Sequence, residues 1–506
     1  MTWSLYRSQD AQRRLADAIE EADRLDPGWR LEELEARRKR IPDDRNAALQ
    51  VSKVHAALPP NLRIANWSFD YVPDLREPQV QLQSDQSLRL REGLKQVQAA
   101  LPAARKLADM PEGRYSVQVT ADMINTRLPG LDSLREIIQV LKADAILQAQ
   151  NGEGDGALQS CRALINCARS VGDEPYLVSQ LVRLGGRSTG LGLVVRVLAQ
   201  AEPSERALAQ VQELLTREDR EPALLYALRG ERVLADGIAT FLEAPGQSEL
   251  SRLNRVLFPA LGQLPPQLGY LSRTTIRSQR AEVLRFSTRA VEIAKLPANE
   301  RQVPLRELDA ERKQTGGLSY TLCPRYQSLL AFTENDAYLR AVQTLVACER
   351  YRRARARWPA SLAELVPQYL GQVPVDPFDG SPMKYMRLSD GVVVYSVGPN
   401  LRDDHGAIRK SGKATPDDIG AIGSGTSVPG ENRHPEMPVK RRGRVLAPSL
   451  FSGPPRRFDV SKSWCVLARA TSTPSLRCLL APINQNPSAN YQASRQSSSV
   501  SSEMRP

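Results

Sequence analysis

The sequence predicts a mainly α-helical chain: antiparallel helical hairpins, then a small α+β module, then a disordered tail. Three observations lead there. Leu, Ala and Arg dominate, and aromatic residues make up only 5% of the 506 residues, a balance that favours helix. Apolar residues recur at helical spacing through residues 131–243, in segments parted by short Gly- and Pro-containing turns. Between Asn335 and Asp418 the order becomes helix, Pro-bounded loop, two-strand hairpin and acidic loop, and after Gly420 the periodicity vanishes.

Residues 1–130 form a first helical region. A helix over 6–25 carries Leu15, Ile19 and Leu25 on its apolar side until Asp26-Pro27-Gly28 breaks it. Helical spacing resumes from Leu31 to Arg40, from Asn46 to Leu58 (stopped by Pro59-Pro60), and from Ser87 to Met110 with an interruption near Pro102. The segment with Trp67, Phe69 and Tyr71 is irregular and is expected to pack as a strap.

Residues 131–243 read as a stack of helical hairpins. Asp132-Ser133 caps a helix running to Gln150, and Asn151-Gly152 opens the turn to a helix over Ala157–Ser170. Helices over Tyr176–Gln200, Glu205–Arg217 and Glu221–Leu242 follow. Glu174-Pro175 and Glu221-Pro222 hold similar places, which suggests a degenerate repeat, tetratricopeptide-like in style only. Residues 244–334 read as a connector: a Pro/Gly-interrupted stretch to 268, then helices over Thr274–Lys295 and Leu305–Lys313.

Residues 335–420 have the most readable plan. Thr333, Glu334, Asn335 and Asp336 can cap a helix whose buried stripe is Leu339, Val342 and Val346, with Tyr338 and Leu345 beside them. Arg350, Arg352, Arg353, Arg355 and Arg357 crowd its C-terminal end, where cations oppose the helix dipole, and Trp358-Pro359 stops it. Ser361 and Glu364 have capping-box spacing for a short helix ending near Leu370. Lys384–Arg387 and Val392–Ser396 are strand-like, and Ser389-Asp390-Gly391 between them is a hairpin turn. Asp376 and Asp379, on either side of Pro377, fit turn chemistry better than paired acid/base work.

The stretch Glu349–Leu370, then Val373-Pro-Val-Asp-Pro-Phe-Asp-Gly380, Tyr385 and Val394-Tyr-Ser-Val-Gly398, resembles the helix exit and strand region of type II secretion major pseudopilins. The whole of residues 1–420 resembles large bacterial proteins of the planctomycete type that end in such a module. The pseudopilin resemblance implies a calcium-binding loop after the last strand, here Asn400, Asp403, Asp404, Asp417 and Asp418. This chain departs from the pattern at Asn400, where the family usually has aspartate, and it carries no pilin-type hydrophobic N-terminus or cleavage signal. The resemblance also implies an apolar anchor ahead of the Asp26-Pro27-Gly28-Trp29 helix pair, expected to be encoded upstream of Met1. That places the protein at the cell envelope; without such an anchor it is soluble.

Composition narrows the function classes. The net charge is +12, but residues 421–506 hold about 12 Lys and Arg against about 4 Asp and Glu, so the first 420 residues carry only about +4. With no recognition helix, zinc finger or aromatic-basic sheet pattern, nucleic acid is not the expected partner. The basic, Ser- and Pro-rich tail should be disordered; a shifted reading frame would account for it, because the look-alike proteins end soon after their counterpart of Pro416–Gly420. The six cysteines show no metal spacing, and Gly185-Gly186 through Gly192 lacks the Lys-Ser/Thr pair of a phosphate loop. His55, His405 and His434 are far apart in sequence, and His405 reads as a solvent-exposed loop residue. The expectation is a non-enzymatic structural or interaction protein that takes a protein partner. The alternatives are a cytosolic helical-repeat scaffold and, last, a hydrolase.

Overall fold

The computed structural model describes residues 2–60, 62, 78–117, 128, 130–243, 273–408 and 418–424. The chain is mainly helical with one small antiparallel sheet. The expected aromatic strap, the Pro/Gly stretch at 244–268 and the tail beyond 424 fall outside the described residues.

The N-terminal region contains α1 (Thr2–Leu25), α2 (Leu31–Arg37), α3 (Ala47–Ala56), α4 (Ser84–Gln96) and α5 (Leu101–Arg105), the last continued by a 3-10 turn over Lys106–Asp109. Asn46 caps α3 by accepting the Ala48 amide at 3.0 Å. The hairpin stack follows as α6 (Gly130–Gln150), α7 (Gly154–Arg169), α8 (Leu177–Gln200), α9 (Glu205–Asp219) and α10 (Ala223–Glu243). These bounds lie within three residues of those the periodicity predicts. Buried Leu134, Ile138, Leu141, Leu158, Ile165, Leu191 and Val194 join one continuous core.

The glycines of α8 allow this packing. A Cβ on Gly186 would stand 2.5 Å from the Ala168 Cβ, and one on Gly190 would stand 2.4 Å from Ile165 Cγ1. The helix is unbroken there, so the Gly185–Gly192 run serves close approach of α8 to α7.

A second core forms where α11 (Arg273–Lys295), α12 (Gln302–Thr315) and α13 (Gly317–Leu322) gather against α10 around Leu228, Ile238, Val283, Phe286 and Leu305. The N-terminal helix α1 packs on α11 through Leu15, Ala18 and Ala22 against Ala281 and Leu284. Asp26, just past the end of α1, ties that end to α10 by accepting from Arg229 at 2.6 Å and from Arg232 at 2.5 Å. Its carboxyl is buried, which raises its pKa, but the two guanidiniums prevail and hold it at about 2.

The longest element, α14 (Tyr326–Arg355), crosses between the cores. It begins well before the expected cap at residues 333–336 because those side chains serve another purpose. Arg187 Nε donates to Asn335 Oδ1, Arg187 Nη2 donates to Asp336 Oδ1 at 2.7 Å, and Asn335 Nδ2 donates to the Leu184 carbonyl at 3.2 Å. Polar residues that could cap a helix are here helix-interior ties to α8, so a boundary at 334/335 falls inside a helix.

Leu339, Val342, Leu345 and Val346 bury the middle of α14 against the sheet, whose strands are β1 (Lys384–Leu388), β2 (Gly391–Ser396) and β3 (Ile419–Ser424) in the order β1-β2-β3. The third strand lies across the expected boundary at Gly420. Its Ile-Gly-Ala-Ile-Gly-Ser sequence carries little strand propensity, and it pairs with β2 because Gly420 and Gly423 let it fit closely. A Cβ on Gly420 would meet the Val394 carbonyl at 2.3 Å, and one on Gly423 would meet Leu345 Cδ1 at 2.7 Å. The expected short helix after Ser361 is only a 3-10 turn, Leu362–Leu365. Ser361 makes no capping bond, and Pro367 follows immediately. Among the described residues no helix is long and apolar enough to cross a membrane.

Glu218, at the end of α9, accepts from Arg169 and from Arg183 (2.9 Å), with Arg187 3.7 Å away. Burial opposes its ionisation, but the three arginines hold it down at about 2. Its contribution is therefore complete above the ordinary carboxylate range and fades only as pH falls toward about 2. Replacing Glu218 with Gln should cost roughly 3–5 kcal/mol at neutral pH by leaving buried guanidiniums uncompensated. Urea unfolding measures this, and a change of less than about 1 kcal/mol would mean that the arginines are satisfied without it.

Candidate functional site

The central strand β2 is buried on both faces, and its outer cover is the acidic loop. Val392 and Val394 of β2 turn toward α14. Gly406 lies over the other face: a Cβ there would touch Met386, Val393 and Tyr395 at 3.1–3.5 Å. Alternation along β2 thus puts one set of residues under a helix and the next under a loop.

Two buried aspartates hold that loop. Asp376, fully buried, accepts from the Phe378 amide at 2.9 Å, the Val397 amide at 2.8 Å and Ser396 Oγ at 2.7 Å. It fixes the exit of β2, and burial raises its pKa despite these donors. Asp418, also fully buried, accepts from the Asp404 amide at 3.2 Å and from the Gly406 amide at 2.9 Å. Burial pushes it up to about 6, against the two amides that favour its charged form.

Of the residues expected to form a calcium loop, Asn400, Asp403, Asp404 and Asp418 come together here, and Asp417 lies outside the described residues. Several of their oxygens are engaged by the loop and by β2. Asn400 Oδ1 accepts from the Arg402 amide at 2.9 Å, and Asn400 Nδ2 donates to Asp404 Oδ2 at 3.2 Å. Asp403 Oδ1 accepts from Tyr395 Oη at 3.0 Å and from the His405 amide at 2.8 Å. Among the described residues, no group of three His, Cys, Asp or Glu side chains is placed to hold a metal ion.

The loop is nevertheless held in a definite shape. Leu401 and His405 both have φ of 57°, a left-handed conformation costly for residues with a Cβ. Leu401 is 53% exposed, and the His405 side chain projects into solvent. Tyr395 is a support that residue spacing did not single out, and Asp376 adds to its expected turn bond with the Phe378 amide two bonds to the end of β2 that spacing did not show. Tyr395 could have been found as the polar-tipped member of the β2 face opposite Val392 and Val394; the position of Asp376 depends on tertiary pairing.

The arginine run at the end of α14 is bound to the chain itself. Arg350 grips Glu205 with Nε at 2.8 Å and Nη2 at 2.6 Å. Arg352 and Arg353 share buried Glu349, and Arg353 also donates to the Pro203 carbonyl. Arg357 donates to Glu364 at 2.8 Å and lies over the Tyr351 ring. These bonds fasten the module to the start of α9, and Arg355 stays exposed. Away from the module, a cavity of about 20 Å³ is lined in part by Phe286, Asp309, Arg312, Cys323 and Tyr326, room for about one water. Asp309 and Arg312 there are paired with each other at 2.7 Å.

Substituting Asn for Asp418 should release the loop, because an amide nitrogen would then face a backbone N–H. Hydrogen exchange at Asp404 and Gly406 should quicken by about tenfold or more, with a stability loss of about 1–2 kcal/mol. Unchanged protection at both amides would show that the loop keeps its shape without this carboxylate.

Comparison with protein-family models, with curated proteins and with solved structures finds no match for this chain.

Proposed function

We propose that this is a non-enzymatic structural or interaction protein of the cell envelope, whose helical body presents the α+β module at residues 335–424 to a protein partner. The observation that carries the proposal is the construction of the 398–408 loop. An exposed Leu401 and an exposed His405 stand in left-handed geometry, Leu401 donating its amide to the Gly398 carbonyl and His405 flanked by the Asp404 and Gly406 amides that buried Asp418 accepts, while the sheet beneath is fastened to α14. Such a loop has already given up the conformational freedom that a partner would otherwise have to remove. The envelope assignment rests on the resemblance of residues 349–398 to pseudopilins, and calcium enters through the same resemblance. The second reading, a cytosolic scaffold that binds through its hairpins, is favoured by the close packing of α6, α7 and α8 into one stack.

Site-specific photocrosslinking in the native host separates the two readings. Crosslinkers at Leu401 and His405, compared with crosslinkers at exposed Gln159 of α7 and Arg206 of α9 in the hairpins, should trap one discrete protein from the loop positions, in the envelope fraction. Adducts only from the helical positions, in the cytosolic fraction, would replace this reading with the scaffold. Calcium has its own test: a millimolar addition should raise Tm in the unsubstituted chain and leave Asp418→Asn unchanged. Equal Tm with calcium and with chelator removes calcium from the proposal.

A further inference from the structure

Two glutamates are buried where α8 begins, and neither forms an ion pair among the described residues. Glu231 of α10 is 5% exposed, and its carboxylate accepts from the Leu177 amide, the first of α8. Glu174 is 2% exposed and accepts from Ser179 Oγ at 2.6 Å. Between them α10 touches the entry to α8 backbone to backbone: a Cβ on Gly230 would stand 1.5 Å from the Pro175 carbonyl oxygen.

This contact is a seam between the two cores. Leu177 and Leu184 pack with α10 and α11, while Val182, Leu191 and Val194 of the same helix pack with α6 and α7. The titratable groups facing Glu174 are Arg38 and Glu35 from the α2 end, neighbouring Asp173, and the phenols of Tyr115 and Tyr176. Arg38 is already committed to Asp173 at 2.9 Å and to Glu35 at 3.1 Å. Facing Glu231 are the Leu177 amide and the Cys323 thiol at the end of α13. Removing a proton from either glutamate therefore leaves a buried charge without a cation of its own.

We infer that the α8–α10 seam is a proton-operated joint: protonated Glu174 and Glu231 close it, and loss of their protons loosens the contact of Gly230 with Pro175. Burial pushes both carboxyls up to about 7; the Ser179 hydroxyl and Arg38 oppose this at Glu174, and the Leu177 amide opposes it at Glu231. The folded chain thus keeps two protons that the unfolded chain sheds in the ordinary carboxylate range. Stability from the seam is complete below that range, falls as pH rises to about 7, and is level above it. The inference stands apart from the partner proposal, because neither glutamate belongs to the module.

Hydrogen exchange on the full chain at about pH 6 and about pH 8, corrected for intrinsic rates, tests it. Protection at Leu177–Gln180 and around Gly230 should fall by about tenfold or more between the two, one unit of proton linkage, while the middle of α7 stays level. Glu231→Gln, which keeps an acceptor for the Leu177 amide, should flatten about half of that dependence, and Glu174→Gln the rest. Infrared titration of the unsubstituted chain is the second measurement, and protonated carboxyl absorbance should persist at pH 7. Equal protection at both pH values, an unaltered dependence in Glu231→Gln, or no protonated carboxyl signal at pH 7 overturns the inference.

Discussion

Glu218 is the point on which the helical body is organised. Its carboxylate, at the end of α9, collects Arg169 from α7 and Arg183 and Arg187 from α8. Arg187 then passes the connection to Asp336 of α14, and Glu221 joins from the turn into α10. Three buried guanidiniums face three carboxylates, of which Glu218 is buried and Glu221 and Asp336 are partly open to solvent. Burying such charges is costly, so the network adds less net stability than its bond count suggests. It does fix how the helices sit. Apolar faces tolerate sliding and repacking, whereas a bidentate guanidinium that shifts by half a helical turn loses its bonds and leaves a charge stranded. Three helices are indexed to one side chain in this way, and α14 and the turn into α10 are indexed to its arginines.

The helices were legible because their signal is local and repeated. Leu, Ile and Val at helical spacing give α6 through α10 to within a few residues, and Asn46 and Ser204 cap α3 and α9 by accepting a first-turn amide. What escaped was whatever depends on a partner far along the chain. Asn335 and Asp336 have the composition of a cap, and only their meeting with Arg187, nearly 150 residues away, turns them into ties inside a helix. Glu364 sits at the spacing of a capping box, yet its carboxylate is shared by the Ala360 amide, Arg357 and Tyr351. The arginine run at the end of α14 likewise reads as a solvated helix end until Glu205 and Pro203 supply its partners.

The acidic loop divides in the same manner. That Asn400, Asp403, Asp404 and Asp418 gather is an expectation carried by the pseudopilin resemblance and not by residue spacing. Their use as acceptors for the loop's own amides could not be anticipated, because it depends on Asp418 returning beside the sheet at the start of β3. That strand was hidden by its composition. Glycine and alanine carry a poor strand signal alone, but they are the residues that can lie this close to Val394 and Leu345.

The thirty residues of α14 belong to every part of this arrangement. Its first turns, with Leu329 and Phe332, are set in the α10–α13 core; its middle ties to α8 and carries the sheet; its last turns hold the start of α9. At about 1.5 Å per residue it is a rod of roughly 45 Å, clamped along most of its length. A pull applied at the sheet would not bend the module away from the body, because there is no hinge between them in this helix. The load would travel down the rod and reach the far core as a displacement of Leu329 and Phe332. Mechanically, the module and the body behave as the two ends of one lever.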